Sequence, residues 1–377
     1  MTLRRISLLF PVGAASLVLA AGAAGTTEGA ATVRHFDSPV GALALDGNRI
    51  AYGLGSNAGH ADSQVFVWNL GTGRTTKVSG PRTSSRPYDA GGGLSALALA
   101  GSRVAWIVRA GSNTYSTDVL FTSSLASPRE RQVASVQRTA ADCGSMGPHC
   151  AGKWIGGLVG AGDRLLVNRY TTAGHGSGKV DGVNHAVTSG ALYVLSGKRL
   201  RQVATGTPTV TATYGDRGRV AVLQPNGSVG IYTSSGRRLR SLTPTPRAAA
   251  VALNGRNLLV LKYGGTLALY DSGTGILRKT FRTRGDSKLV QNLGVQKNIA
   301  IYTTGVGFGL GSFTHSTLHA VDLTSGKDRV IGTFGSRFAD VIGEARIDSA
   351  GVAYASKFLD RGRLVLLPWA RVAAAVR

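Results

Sequence analysis

With 377 residues, 43 % of them hydrophobic, the chain is long enough for one large domain or two ordinary ones and can bury a sizeable core. Its 53 glycines and the Ser/Thr spacers between short apolar runs predict an all-β protein rich in turns. No stretch alternates strands with long amphipathic helices, which argues against a parallel α/β fold. The formal charge is +24, from 43 basic and 19 acidic residues. The basic residues are scattered at turns rather than clustered with aromatics. They therefore point away from nucleic acid and towards anionic envelope polymers, lipid headgroups or a generally basic surface.

The chain opens with MTLRRISLLFPVGAASLVLAAGAAG, in which Arg4 and Arg5 precede an apolar run and then small residues. This predicts a secretory signal peptide over residues 1–25; an uncleaved membrane anchor is the competing reading. No Cys follows the apolar run, so a lipid anchor is not expected, and Leu3 and Ser7 fit a twin-arginine signal poorly. No later segment is long and apolar enough to span a bilayer. The expected location is extracytoplasmic or associated with the cell envelope.

From residue 31 onwards a unit recurs. A tight turn leads into an apolar strand at Asp46-Gly-Asn-Arg-Ile-Ala-Tyr52 and again at Ala100–Trp106, Ala161–Val167, Asp216–Val222, Asn254–Val260, Val295–Ile301 and Ser349–Tyr354, making seven copies. A small-residue run precedes each (GALAL, LSALAL, GGLVG, TVTATY, AAAVAL, VQNLG, GEARI) and a third run follows (QVFVWNL through RLVLLPW). A short turn then leads to a polar fourth strand such as RTTKVSG, RRLRSLT or LRKTFRT. Four antiparallel strands repeated seven times predict a seven-bladed β-propeller, one domain over residues 31–370. Ala and Gly suit a crowded central channel, and Arg and Thr suit an exposed outer edge. ATVRHFDSP (31–39) resembles a fourth strand and is expected to complete the last blade; ARVAAAVR at the C-terminus is the alternative.

In units such as LDGNRIAYG and in the WNLGTG, YDSGTG and VDLTSG turns, the chain resembles the WD40-like and TolB-like propeller repeats of exported bacterial proteins, over about residues 31–370. The resemblance implies the propeller fold but not one function, because such scaffolds bind partners, bind ligands or catalyse different reactions. The GH…WD pairs of the regulatory cytosolic family are missing, as is the Trp-docking turn of quinone-type propellers.

The hairpins joining first to second and third to fourth strands are short and share one face. The long segments, 53–63, 79–93, 109–118, 138–154, 170–190 and 303–316, fall on the other connections and hence on the opposite face. Loops gathered on a rigid scaffold are the usual place for binding or chemistry. Five of the seven histidines lie there: His60, His149, His175, His185 and His315. The candidate ligand-binding rim is His60, Asp62, Tyr88, Asp89, His175, Asp181, His185 and His315, with Asp142 as a further acid. A metal or anion site is the sharp reading of these residues, and chance placement in polar loops the bland one; no cofactor is expected. Cys143 and Cys150 are expected to form a disulfide in an oxidising compartment, since a zinc site with His149 lacks a fourth ligand.

Other chemistry fits less well. GHGSGKVD (174–181) is one residue short of a phosphate loop, and Val180 stands where the Mg²⁺-holding hydroxyl belongs. No Gly-x-Ser-x-Gly elbow occurs, and carboxylates are too scattered to nominate an acid/base pair. Trp68 and Trp106 read as packing residues; Trp154, after the cysteine loop, is the better candidate for an exposed aromatic, with a core position still the favoured reading. The expectation is a monomeric, non-catalytic exported propeller. Its loop-rich face would bind a protein partner or an anionic envelope polymer. The rival is a metal-assisted hydrolase or lactonase, or a polysaccharide lyase, at the channel mouth.

Overall fold

The computed structural model describes residues 30–55, 64–80, 93–111, 115–139, 152–172, 187–205, 213–216, 218–224, 226–284, 290–305, 316–334, 341–357 and 361–377. The strands run in chain order from β1 (Thr32–Phe36). Blade 1 holds β2 (Val40–Asp46), β3 (Arg49–Leu54), β4 (Gln64–Asn69) and β5 (Thr75–Lys77). Blade 2 holds β6 (Gly93–Ala100), β7 (Arg103–Gly111), β8 (Tyr115–Ser124) and β9 (Arg131–Thr139), and blade 3 β10 (Gly152–Ala161), β11 (Arg164–Thr172), β12 (Val187–Ser196) and β13 (Arg199–Thr205). Blade 4 comprises β14 (Thr213–Asp216), β15 (Arg219–Leu223), β16 (Val229–Thr233) and β17 (Arg238–Leu242), and blade 5 β18 (Ala248–Asn254), β19 (Asn257–Lys262), β20 (Thr266–Asp271) and β21 (Leu277–Arg282). Blade 6 comprises β22 (Gln291–Gln296), β23 (Ile299–Gly305), β24 (Ser316–Asp322) and β25 (Asp328–Phe334). Blade 7 takes β26 (Val341–Ile347), β27 (Gly351–Lys357) and β28 (Gly362–Pro368), followed by helix α1 (Trp369–Val376).

Six sheets keep sequence order and the seventh runs β1-β28-β27-β26, so the chain is an all-β propeller of seven four-stranded antiparallel blades. The inner strands pack side by side around the ring, β26 against β2 included. Strand β1 pairs antiparallel with β28, from Thr32 opposite Leu366 to Phe36 opposite Gly362. It also reaches the next blade: the Arg34 guanidinium lies 3.7 Å over the Trp68 ring and donates to Thr75 Oγ1 at 2.8 Å. Residues 369–376, most of the C-terminal alternative for that outer position, form helix α1, which buries Val372 and Val376 beside Ile331 and Tyr354.

Local chemistry explains the repeat. The first hairpin of blades 1, 2, 3 and 5 places a glycine at positive φ (Gly47, Gly101, Gly162, Gly255), and blade 6 forces Lys297 to φ 51° at the same position. In the second hairpin of blades 1, 5 and 6 an Asx side chain folds the turn. Asn69 Oδ1 accepts from the Gly71 and Thr72 N–H groups, Asp271 Oδ1 from Gly273 and Thr274, and Asp322 Oδ1 from Thr324. Middle strands are buried on both faces, with Ile50, Ala51, Val104, Ala105, Leu258 and Leu259 fully inaccessible. Inner strands approach closely: a Cβ at Gly160 would stand 1.9 Å from the Leu99 carbonyl oxygen of the neighbouring blade.

The arginine opening the second strand is often a clasp between blades. Arg103 donates to the Leu195 and Gly197 carbonyls of blade 3 at 2.8 and 2.9 Å. Arg219 likewise donates to the Gly255 carbonyl and to Ser272 Oγ of blade 5. Part of the basic excess is therefore structural.

Candidate functional site

Because strand direction alternates within each sheet, every second-to-third connection and every crossing between blades begins and ends at one end of the blades. In six blades the inner strand is bulged near that end, with register shifts at 40/42, 94/96, 155/157, 248/250, 291/294 and 342/344. A bulge adds a residue, re-aims its neighbours and bends the strand. Of the residues displaced in this way, Ser95 and Gly156 line the central channel. The channel cavity is about 840 Å³, with Ala and Leu walls and with Arg109, Glu344 and Arg346 among its polar lining residues. Asn292, at φ 51°, donates to Thr303 Oγ1 at 3.1 Å, and Arg346 pairs with Glu344 at 2.6 Å.

The predicted rim residues His60, Asp62, Tyr88, Asp89, His175, Asp181, His185 and His315 lie outside the described residues, as do Asp142, His149, Cys143 and Cys150. The two remaining histidines, His35 and His319, lie in strands β1 and β24 as expected. Among the described residues no group of three or more His, Cys, Asp or Glu side chains could hold a metal ion. Among them, too, no helix is long and apolar enough to cross a membrane.

Below the mouth, between blades 2 and 3, sits a buried charge cluster that sequence reasoning missed. Asp118 is 0 % and Arg138 1 % exposed, and they pair at 3.0 Å. Asp118 also accepts from Arg109 Nε at 2.7 Å and from the Ile155 N–H at 3.2 Å. Arg138 donates to the Lys153 carbonyl at 2.7 Å and to Ser116 Oγ at 2.8 Å. Its guanidinium lies 3.6 Å over the Trp154 ring, which stacks on Tyr170 and donates from Nε1 to Thr172 Oγ1 at 2.9 Å. Trp154 is therefore a buried packing residue rather than an exposed platform, because Arg138 and Tyr170 flank its ring. Trp68 and Trp106 are buried in their strands as expected. Burial pushes the Tyr170 hydroxyl upward. With both oxygens of Asp118 engaged, the cluster fixes the end of β9 against the start of β10.

A second network ties together three strands of blade 6. His319 Nδ1 meets Asp328 Oδ1 at 3.0 Å, and its Nε2 lies 3.0 Å from Thr317 Oγ1 and 3.2 Å from Thr304 Oγ1. Tyr302, stacked on the imidazole, donates its hydroxyl to Asp328 and accepts from the Arg284 N–H of blade 5. Burial raises the Asp328 carboxyl, but bonds from His319 and Tyr302 and the nearby charges outweigh it and hold the group below the carboxylate range. Burial and the bond to Asp328 drive the Tyr302 hydroxyl strongly upward. Thr317, His319 and Asp328 stand in the hydroxyl–imidazole–carboxylate order that nucleophilic catalysis uses, with Thr317 half-buried. Tyr302, His319 and Asp328 are buried, and the bond from the Arg284 N–H to Tyr302 links blades 5 and 6.

At the opposite end, the hairpin of blade 7 carries Asp348, which accepts from the Ala350 N–H at 2.8 Å. Burial pushes its carboxyl up to about 6, and nearby Asp46 adds to the effect.

No protein-family model matches the sequence, and no curated protein matches it. Among solved structures the chain is similar to a chain of a mitotic checkpoint complex, at 12 % identity and a TM-score of 0.53, covering 98 % of this chain and 100 % of that one. It is also similar to the WD40 β-propeller domain of Doa1 (11 % identity, TM-score 0.47, covering 89 % and 95 % of the two chains). A third is the computationally designed protein Ika8 (15 % identity, TM-score 0.47, 88 % and 97 %). At these identities the likeness concerns the fold. Four strands per blade around a central channel is the WD40-type blade architecture.

Proposed function

We propose that the chain is an exported, non-catalytic propeller of the TolB-like kind. Its loop-bearing face would bind a protein partner or an anionic polymer of the cell envelope. The observation that carries this reading is the one-sided arrangement of the connections. All long segments join strand ends at the face where bulged inner strands frame the channel mouth. The buried Asp118–Arg138 pair braces strand ends under that face, the rigid support a binding surface needs. The +24 charge favours an anionic partner. Purified protein mixed with envelope fractions over a salt series tests the proposal. Retention at low salt that falls steeply as screening increases is expected. Absence of binding at low salt removes the charge-driven version, and stoichiometric calcium or transition metal in the purified protein favours the hydrolase rival.

A further inference from the structure

The outer strands of blades 3 to 5 form one surface rather than three separate edges. The hairpin between third and fourth strands leans onto the outer strand of the preceding blade. Gly236 of blade 4 abuts Val203 in β13, and a Cβ on Gly275 of blade 5 would lie 3.1 Å from Arg240 Cδ in β17. Gly326 of blade 6 faces Phe281 in β21 in the same way. Along this rim, the segments GRRLRSL (236–242) and GTGILRKTFRTR (273–284) contain no acidic residue. Among the described residues, Arg237, Arg238 and Arg282 are exposed and form no ion pair. Between them stand large apolar side chains open to solvent: Leu239 at 40 %, Ile276 at 64 % and Leu277 at 46 %.

Two simpler accounts explain half of this pattern. Charges on an outer edge strand prevent edge-to-edge pairing, but exposed branched apolar residues work against that purpose. A phosphate polymer would engage the arginines but has no use for the apolar side chains. An anionic bilayer surface takes both, the guanidinium groups at the phosphates and the aliphatic groups at the acyl boundary. We propose that the rim of blades 4 and 5 docks the protein edge-on to an anionic lipid surface through Arg237, Arg238, Arg282, Leu239, Ile276 and Leu277. Arg237, Arg238, Leu239, Ile276 and Leu277 lie at the hairpin end of the blades, opposite the loop-bearing face, and Arg282 closes β21 at the other end, so the surface runs along the rim between the two faces.

The test is co-sedimentation of the full chain with vesicles of phosphatidylglycerol and phosphatidylcholine, against phosphatidylcholine alone, at low and high salt. The unaltered protein is expected to prefer the anionic vesicles and to lose that preference at high salt. The R237E/R238E/R282E variant should partition at least about tenfold less. The L239S/I276S/L277S variant should also bind more weakly but keep the same salt dependence. All six side chains lie on the surface, so melting midpoints should not move. If the triple reversal does lower stability, R282E alone, with an expected loss of about threefold, decides. Equal vesicle binding by the charge-reversed protein overturns the proposal, as does equal affinity for neutral vesicles. Capture by soluble polyphosphate, with vesicle binding unchanged in the serine variant, replaces the lipid surface by a polymer.

Discussion

Replacing Asp118 by alanine tests whether the cluster between blades 2 and 3 supports the loop-bearing face. The substitution removes a carboxylate that accepts from Arg109, Arg138 and the Ile155 N–H. Arg109 is partly exposed and can turn to water, but Arg138 at 1 % exposure cannot. A buried charge stripped of its partner costs about 3–5 kcal/mol, and the orphaned Ile155 N–H adds about 1 kcal/mol. The Lys153 carbonyl and Ser116 Oγ still receive Arg138, which sets the expected total near about 4 kcal/mol. Unfolding entropy of about 2.1 cal/mol/K per residue makes this a fall in melting temperature of about 5 °C for a chain of this size. Differential scanning calorimetry measures it. D118L/R138M removes both charges and should recover at least half of the loss, because two apolar side chains replace a buried pair at little cost. A fall below about 1 °C for D118A, or a double variant less stable than the single one, would refute the reasoning.

Two further outcomes concern the scaffold. G160A should cost about 3 kcal/mol or more in urea denaturation, because its Cβ would meet the Leu99 carbonyl oxygen. G47A meets no neighbour within 4 Å and should cost only about 1 kcal/mol, from its positive φ; equal losses would contradict the crowding of the inner strands. Asp348 has a folded value of about 6 against 3.8, so its ionised form is the disfavoured one. The native state therefore gains stability from this group as pH falls through about 6 towards the unfolded value, by at most about 3 kcal/mol. D348N lacks that dependence and should be the more stable protein above about pH 7, with the gap closing in acid. A constant difference between about pH 4 and about pH 8 would rule this out.

The blades were legible because their signals are local. A glycine or Asx turn every half blade and apolar runs of five to seven residues need no knowledge of distant neighbours, and GALAL, LSALAL and AAAVAL lie in β2, β6 and β18. Lys297, which occupies a glycine's conformation, shows that the ring imposes the turn even where the residue opposes it. The Asp118–Arg138 pair was not legible, because its completion depends on the Lys153 carbonyl and Ile155 N–H of another blade. The His319–Asp328 contact could have been found. The two residues face each other across a short hairpin nine positions apart, and a histidine inside an otherwise apolar strand needs a partner. The bulges were missed because a register shift leaves no mark in a run of Ala, Gly and Leu. The predicted rim residues sit on connections that do not repeat, so periodicity carries no information about them.

The pairing of Thr32 with Leu366 has a consequence for synthesis. As the chain leaves the ribosome, β1 emerges before the twenty-six strands that separate it from β28, and until β28 follows it has nothing to join. Its sequence suits that wait: Arg34 and His35 break the apolar run of TVRHF, and Val33 stays exposed even in the finished ring. A chain arrested before β28 would keep six blades' worth of strands with their own partners and leave β1 unclaimed. Protection of residues 32–36 from hydrogen exchange or proteolysis therefore reports whether β28 has been made and has joined β1.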